Sequence, residues 1–421
     1  MQNIINRLFK LDFLTFVRVL IILEIILISF FTAPAEIIEV LIFLSALIIP
    51  QLRNRVISQI RQPLVIMSLL LYGVITIGLF YTIADMSQSI DIWGSWRKLL
   101  LIPIAISVYD DSIWKKRFIF SFLCFITFAS LLSFLSSVFA FTIYKYGVGI
   151  VLHNHATQGM LFSVSIYICL VMLRYPKYSN LSRLSSILLK LSTAILFYNV
   201  VYITPGRSGY VALYILITLF ILFNIVNKWR YVIICITTLA LAGIFILSPV
   251  AKNRIQMGID EIKTYENAPY STSMGIRIVM WKQTIELLQN LEYPFWGYGT
   301  GAFQNAYQKQ IEGRDGLQGE PSTDPHNQYL RIAVEHGFIG LLIFFAFIGA
   351  FFLQKGSKEP TRILAIGVLI AWCATSLFST HFSTFTEGRF IMIWCGVLLA
   401  IDDDIYKSSD KNSSNSNFEN S

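Results

Sequence analysis

Three short stretches of this chain carry side chains able to hold an anion and move a proton. In Pro325-His326-Asn327-Gln328-Tyr329-Leu330, the preceding Asp324 is a good N-cap, and Pro325 suits the first helical position, where its missing N–H is no loss. The spacing predicts a helix that starts here, with His326 in its first turn. The orphan N–H groups and the positive end of the helix dipole would attract an anion there and disfavour a second proton on the imidazole. A neutral histidine beside an anion can act as a general base; it can also be no more than a polar residue at a helix start. Arg207 lies in Thr204-Pro205-Gly206-Arg207-Ser208-Gly209, where Pro and Gly break a helix and Ser208 can cap the next one. A guanidinium on such a turn can grip a phosphate through two parallel hydrogen bonds. The alternative is an interfacial anchor reaching lipid headgroups. Arg277, in an amphipathic stretch, has the same two roles open to it.

The other candidates are weaker. His153-Asn154-His155 offers two imidazoles without a carboxylate or cysteine partner, so hydrogen bonding to a sugar or phosphate fits better than a metal. Asp402-Asp403-Asp404 has the acidic spacing used for nucleotide sugars, but it follows the last apolar run and serves best as the end of that helix. The carboxylates between residues 251 and 336 do not single out a glycosidase pair. Cys124, Cys169, Cys235, Cys373 and Cys395 all lie in apolar runs, forming neither a disulfide framework nor a ligand spacing. No metal and no cofactor is expected.

The elements that must position these residues are membrane helices. Of 421 residues, 55% are hydrophobic and 14% charged, far too apolar for a water-soluble domain. The apolar runs approach the ~20 residues of a helical bilayer crossing and lack the alternation of a membrane β-barrel. An all-α integral membrane protein of about twelve transmembrane helices is expected, with spans near 14–32, 36–50, 63–83, 95–109, 118–144, 157–173, 190–204, 208–227, 231–250, 337–354, 363–380 and 389–402. Arg7 and Lys10 before the first run resemble a signal peptide, yet Arg18 and Glu24 inside it favour a retained helix. The net charge of +8 sits mainly in short loops, so topology explains it better than a nucleic-acid partner does.

One set of loops is rich in Lys and Arg. The opposite set holds only Arg97, Lys98, Lys145, Arg207 and Arg389, which puts both termini in the cytoplasm and the 251–336 insert outside. All five histidines then share the outer face. The chain divides into spans one to nine (1–250), the outer loop (251–336), spans ten to twelve (337–402) and a Ser/Asn-rich tail (403–421) expected to be disordered. Within the insert, 274–290 has a helical period and is expected to lie along the membrane surface. The glycines at 297, 299 and 301 read better as an aromatic-bearing turn than as a phosphate loop, since no strand precedes them.

The Thr204-to-Gly209 turn, the Gly275-Ile276-Arg277 to Trp281 stretch and Pro325 to Leu330, in that order on one face, resemble the O-antigen ligase and O-antigen polymerase superfamily. That resemblance implies an inner-membrane glycosyltransferase that takes a glycan from an undecaprenyl diphosphate carrier on the periplasmic side, without metal or nucleotide. In the ligase branch the acceptor is lipid A-core. By motif match, Arg207 and Arg277 would hold the diphosphate and His326 would activate the acceptor hydroxyl. His155, Asn327 and Arg389, on the same face, are further candidate substrate contacts. Membrane lipids are the remaining partners, and nucleic acid is not one. A polymerase extending lipid-linked units stays open as the alternative. A transporter of lipid-linked sugars is disfavoured, because the clear charges within spans are Arg18 and Glu24 in one helix and the polar weight is on the outer face.

Sidedness is directly testable. A cysteine introduced at Gly313 should react with a membrane-impermeant thiol reagent in intact cells with a permeable outer membrane, and one at Ser357 should not; the reverse pattern would overturn the topology.

Overall fold

The computed structural model describes residues 12–143, 147–264 and 273–402. Lys145 and the tail from residue 403, with Asp403 and Asp404, lie outside the described residues. The secondary structure is helical: α1 (Phe13–Leu27), α2 (Thr32–Ile48), α3 (Pro50–Ser58), α4 (Pro63–Gly78), α5 (Met86–Ser95), a 3-10 turn (Trp96–Leu100) leading into α6 (Leu101–Val108), α7 (Ser112–Phe139), α8 (His155–Arg174), the single turn α9 (Pro176–Ser179), α10 (Arg183–Tyr198) ending in a π-turn (Asn199–Ile203), α11 (Arg207–Asn224), α12 (Trp229–Leu247), α13 (Pro249–Thr264), α14 (Gly275–Gln289), α15 (Phe303–Gln310), α16 (Gln328–Leu353), α17 (Thr361–Thr375) and α18 (Phe385–Leu398).

Each of the twelve apolar segments falls on a helix, but their lengths differ. Among the described residues, α7, α8, α10 with its π-turn, α11, α12 and α16 are individually long and apolar enough to cross a membrane. The other segments make α-helices of 8 to 17 residues, shorter than a straight crossing needs. Burial supplies the reason. α18 is enclosed by protein from Thr386 to Leu398, and α17 and α8 are nearly so. Helices at the centre of a bundle need not span lipid unaided. Trp372, Phe390 and Trp394 stack there, with centroids 5.0 and 5.5 Å apart. α12 lies at the rim, its Leu239 and Leu247 largely exposed, as are Ile77, Phe139 and Leu353 on other helices. Such a belt would be an aggregation surface in water and is what hydrocarbon requires.

Several charges inside the bundle are paired between segments distant in sequence. Arg18 and Arg55 both hold Asp110, at 2.8 and 2.6 Å. Arg97 holds Glu39 at 2.6 Å, and Arg389 donates to the same carboxylate. Asp402 does more than end a helix: it meets Lys115 Nζ at 2.8 Å.

α16 is kinked at Gly337 (φ 60°, ψ −158°), a conformation that L residues avoid. The aromatic loop 293–301 enters this kink, where the Pro294 and Phe295 carbonyls accept from the Phe338 and Ile339 N–H groups at 2.9 and 3.2 Å. Its own Tyr298 and Gly299 N–H groups donate to the Val334 and Glu335 carbonyls. The loop is a structural splice, with little backbone left over for a phosphate.

α8 and α11 make the closest approach in the site region. A Cβ at Gly209 would stand 2.7 Å from Gly159 Cα, and one at Gly206 would stand 2.6 Å from the His155 carbonyl oxygen. Small residues here let the backbones touch. Gly209→Ala should therefore destabilise the bundle by ~1–3 kcal/mol through overpacking; a thermal melt in detergent matching wild type would contradict the contact.

Candidate functional site

The close packing of α8 on α11 brings His155, the first residue of α8, beside Arg207, the first residue of α11. Asn154 caps α8 by accepting from the Ala156 and Thr157 N–H groups. Buried Gln158 ties the preceding loop to the turn before Arg207: its oxygen accepts from Val151 and Leu152, and its amide donates to Gly149 O and Thr204 Oγ1. The two chain segments that lead into the site are thus fixed to each other through one buried amide.

α13 lays one face over Arg207. Arg254, Gly258 and Glu261 fall at helical spacing, and a Cβ at Gly258 would sit 3.1 Å from Arg207 Cζ. Glu261 takes Arg207 Nη2 at 3.2 Å and the Met274 N–H at 2.9 Å, linking α13 to the start of α14. Arg277, one turn into α14, is within electrostatic reach of Arg207, Arg254, Asp324 and Glu261. Its guanidinium is held below the usual arginine range, first by burial and then by Arg207 and Arg254. Among the described residues, Arg207 Nε and Nη1, Arg254 Nε and Arg277 Nε are buried without a hydrogen-bond partner. The result is a crowded, partly dry cluster of cations whose spare donors suit an anion rich in oxygen.

His326 faces this cluster, though not as the sequence predicts. α16 begins three residues later than Pro325, and its N-cap is Asn327, whose oxygen accepts from the Tyr329 and Leu330 N–H groups at 3.0 and 3.1 Å. Pro325 and His326 precede the helix, with His326 left-handed (φ 50°). Asp324 caps no helix: its Oδ1 accepts from the His326 N–H at 2.8 Å, and its Oδ2 accepts from the Thr380 hydroxyl. Trp281 of α14 clamps the Pro325 carbonyl at 3.0 Å. The helix start is shifted because Asn327, not Asp324, makes the cap bonds, while Asp324 closes a turn around His326. A strained residue held by three independent tethers is a common feature of functional sites. Burial lowers the His326 pKa first, and Arg277 lowers it further against the opposing pull of Asp324. The imidazole is neutral by desolvation, not by a helix dipole.

Of the other sequence candidates, His155 joins the cluster, within reach of Arg254 and Arg277. Asn327 does not remain available, since its oxygen caps α16 and its amide donates to Leu377 O at 3.1 Å. Arg389 is corrected too. It is buried in α18 and paired with Glu39, with Glu24 4.0 Å away, because an enclosed guanidinium must find carboxylates inside the bundle. The apolar face of α14 meets protein, not the membrane surface: Met280 and Leu287 pack with Phe303, Tyr307, Ile311 and Val334. Trp281 closes the Gly275-to-Trp281 stretch noted in the sequence, whereas Arg254 and Thr380 were not among the sequence candidates. The 254, 258, 261 spacing was the one available signal for the first; Thr380 has none, because its partner lies 56 residues away.

His381, behind Thr380, has both ring nitrogens buried and unpartnered, and burial holds its pKa down despite nearby Glu387 and Asp324. Beside Asp324 opens a cleft of about 500 Å³ lined by Asp85, Gln88, Asp91, Thr323, Arg331 and Glu335. Among the described residues no three His, Cys, Asp or Glu side chains gather as a metal site.

These features define a multi-pass helical membrane protein with a cluster of three arginines and an adjacent histidine whose pKa is lowered by burial at one end of the bundle. Residues 191–345 match the family model described as O-antigen ligase, a stretch that holds Arg207, Arg254, Arg277 and His326 and is consistent with the O-antigen ligase and polymerase superfamily. No curated protein matches the chain.

The unpaired donors make a prediction about geometry as well as charge. Arg207→Lys keeps the charge but loses the fork, so glycan transfer should fall nearly as far as in Arg207→Ala, at unchanged protein level. A Lys variant at wild-type rate would leave Arg207 as a simple interfacial anchor.

Proposed function

We propose that this chain is an O-antigen ligase-type glycosyltransferase that moves a glycan from undecaprenyl diphosphate onto lipid A-core at the periplasmic face of the inner membrane. The observation that carries this reading is the meeting of three arginines, with four unpartnered guanidinium nitrogens, and a desolvated histidine held in a strained turn. A lipid diphosphate is already a good leaving group, so the protein must position it, offset charge on its departing oxygens and accept one proton. Arg207, Arg254 and Arg277 take the diphosphate. The acceptor oxygen attacks the anomeric carbon, its proton passes to His326, and the bond to the diphosphate breaks with the electron pair leaving on the carrier. No metal or cofactor enters this scheme, and a single in-line displacement inverts the sugar carbon. The cleft lined by Asp85, Gln88, Thr323 and Arg331 supplies both donors and acceptors, as sugar hydroxyls require.

Both termini are then cytoplasmic and the 251–336 insert periplasmic, acting with the flanking spans 1–250 and 337–402 as one unit. The test is the lipopolysaccharide of a deletion strain. Loss of a ligase leaves core without glycan while lipid-linked chains accumulate; core capped by one unit would mean a polymerase instead. His326→Ala should fail to complement, with a rate loss of about a hundredfold to ten-thousandfold, while still retaining the lipid-linked donor. Because the folded pKa of His326 is lowered, its basic form persists below pH 6.5, and wild-type transfer should fall only on further acidification. An acid limb centred above pH 6.5 would remove His326 as the base.

A further inference from the structure

A cavity of about 940 Å³ lies at the other end of the bundle from Arg207 and His326. His326 precedes the first residue of α16, whereas the cavity meets the last, and the 26 residues between span roughly 40 Å of helix. Its polar wall carries Arg55, Arg61, Lys355, Gln62, Gln354 and Asp110. Asp110 is already shared by Arg18 and Arg55. Among the described residues, Arg61 and Lys355 have no carboxylate partner, so the cavity keeps an excess of positive charge.

Gln354 is 1% exposed; its amide nitrogen donates to Gln62, while its Oε1 is buried with no hydrogen-bond partner. An unpartnered acceptor on a side chain that lines a cationic cavity suits a ligand that brings a donor as well as an anion. The neighbouring surface is apolar. Leu353 lines the cavity and is 64% exposed, and Ile57 and Ile60 are 55% and 44% exposed. α3 turns 90° from α2 at Pro50, which sets it along the membrane surface with Arg55 directed to the cavity.

We infer that this cavity binds the head group of a phosphoglycerol phospholipid, with Arg55, Arg61 and Lys355 on the phosphate and Gln354 Oε1 accepting from a glycerol hydroxyl. Basic pockets between membrane helices recognise anionic lipids in this way. The acyl chains run out past Leu353, Ile57 and Ile60, which a free phosphate would not need. The site is independent of glycan transfer and of the donor diphosphate.

Native mass spectrometry of the full-length protein in detergent tests it, with phosphatidylglycerol, phosphatidylethanolamine and phosphatidic acid added in equal amounts. Wild type should retain phosphatidylglycerol over phosphatidylethanolamine, and Arg61→Ala/Lys355→Ala should lose that retention roughly ten- to thirtyfold at low salt with an unchanged melting point. Both residues are exposed, so their removal should not prevent folding. Gln354→Leu should narrow the preference for phosphatidylglycerol over phosphatidic acid; an unchanged ratio overturns the hydroxyl contact. Equal retention of the zwitterionic lipid, or full retention by the double variant, overturns the site. Competition by glycerol 3-phosphate as strong as by short-chain phosphatidylglycerol would make it a soluble-phosphate site and overturn the lipid assignment.

Discussion

An excess of partly buried guanidinium over carboxylate is the constraint on which the end of the bundle around Arg207 and His326 depends. Arg207 pairs with Glu261, Arg277 lies within reach of Asp324 and Glu261, and four nitrogens of Arg207, Arg254 and Arg277 have no partner among the described residues. Each unmet buried donor costs about 1–3 kcal/mol, and neighbouring cations repel. Such a cluster persists only if its scaffold is stiff and an anion relieves it on binding. The scaffold supplies the stiffness: glycine contacts seat α11 on α8, α13 closes over Arg207 through Gly258, and Glu261 pins the start of α14.

The same cations set the chemistry of His326. In a bundle with this much unneutralised positive charge, an imidazolium would add to the repulsion, and the half-dry surroundings already disfavour it. Asp324 works against that trend, but its oxygens are spent on the His326 N–H and on Thr380. The carboxylate therefore serves as a backbone clamp rather than as a partner that orients the ring. Trp281 completes the clamp from α14, so the helix that bears Arg277 also positions the histidine turn. Arg277 and the His326 turn are mechanically coupled through one short helix.

Elsewhere the bundle neutralises its charges. Arg18, Arg55 and Asp110, Arg97, Arg389 and Glu39, and Lys115 and Asp402 close ion pairs between segments distant in sequence. In a low-dielectric interior an unpaired member of such a set would be far costlier than the pair. These paired charges contrast with the arginine cluster, where cations outnumber the nearby carboxylates, and with Arg61 and Lys355 at the opposite end, which have no carboxylate partner among the described residues.

An all-α membrane bundle, the positions of its apolar helices, and the grouping of Arg207, Arg277, His155 and His326 were all legible in the order of residues alone. Hydropathy and helix-breaking residues are local properties, and the loop charges sort the chain onto two faces before any contact is known. How each side chain is spent was settled by the folded chain. The sequence pointed to Asp324 as the cap of this helix, yet Asn327 makes the cap bonds, while Asp324 turns to the His326 N–H and to Thr380. Arg389 looked like an outer-face cation until Glu39, 350 residues away, claimed it. Arg254 entered the site because α13 folds back over α11. A side chain's partner is fixed by packing between segments far apart in the chain, and periodicity within one segment carries no record of which neighbour it will meet.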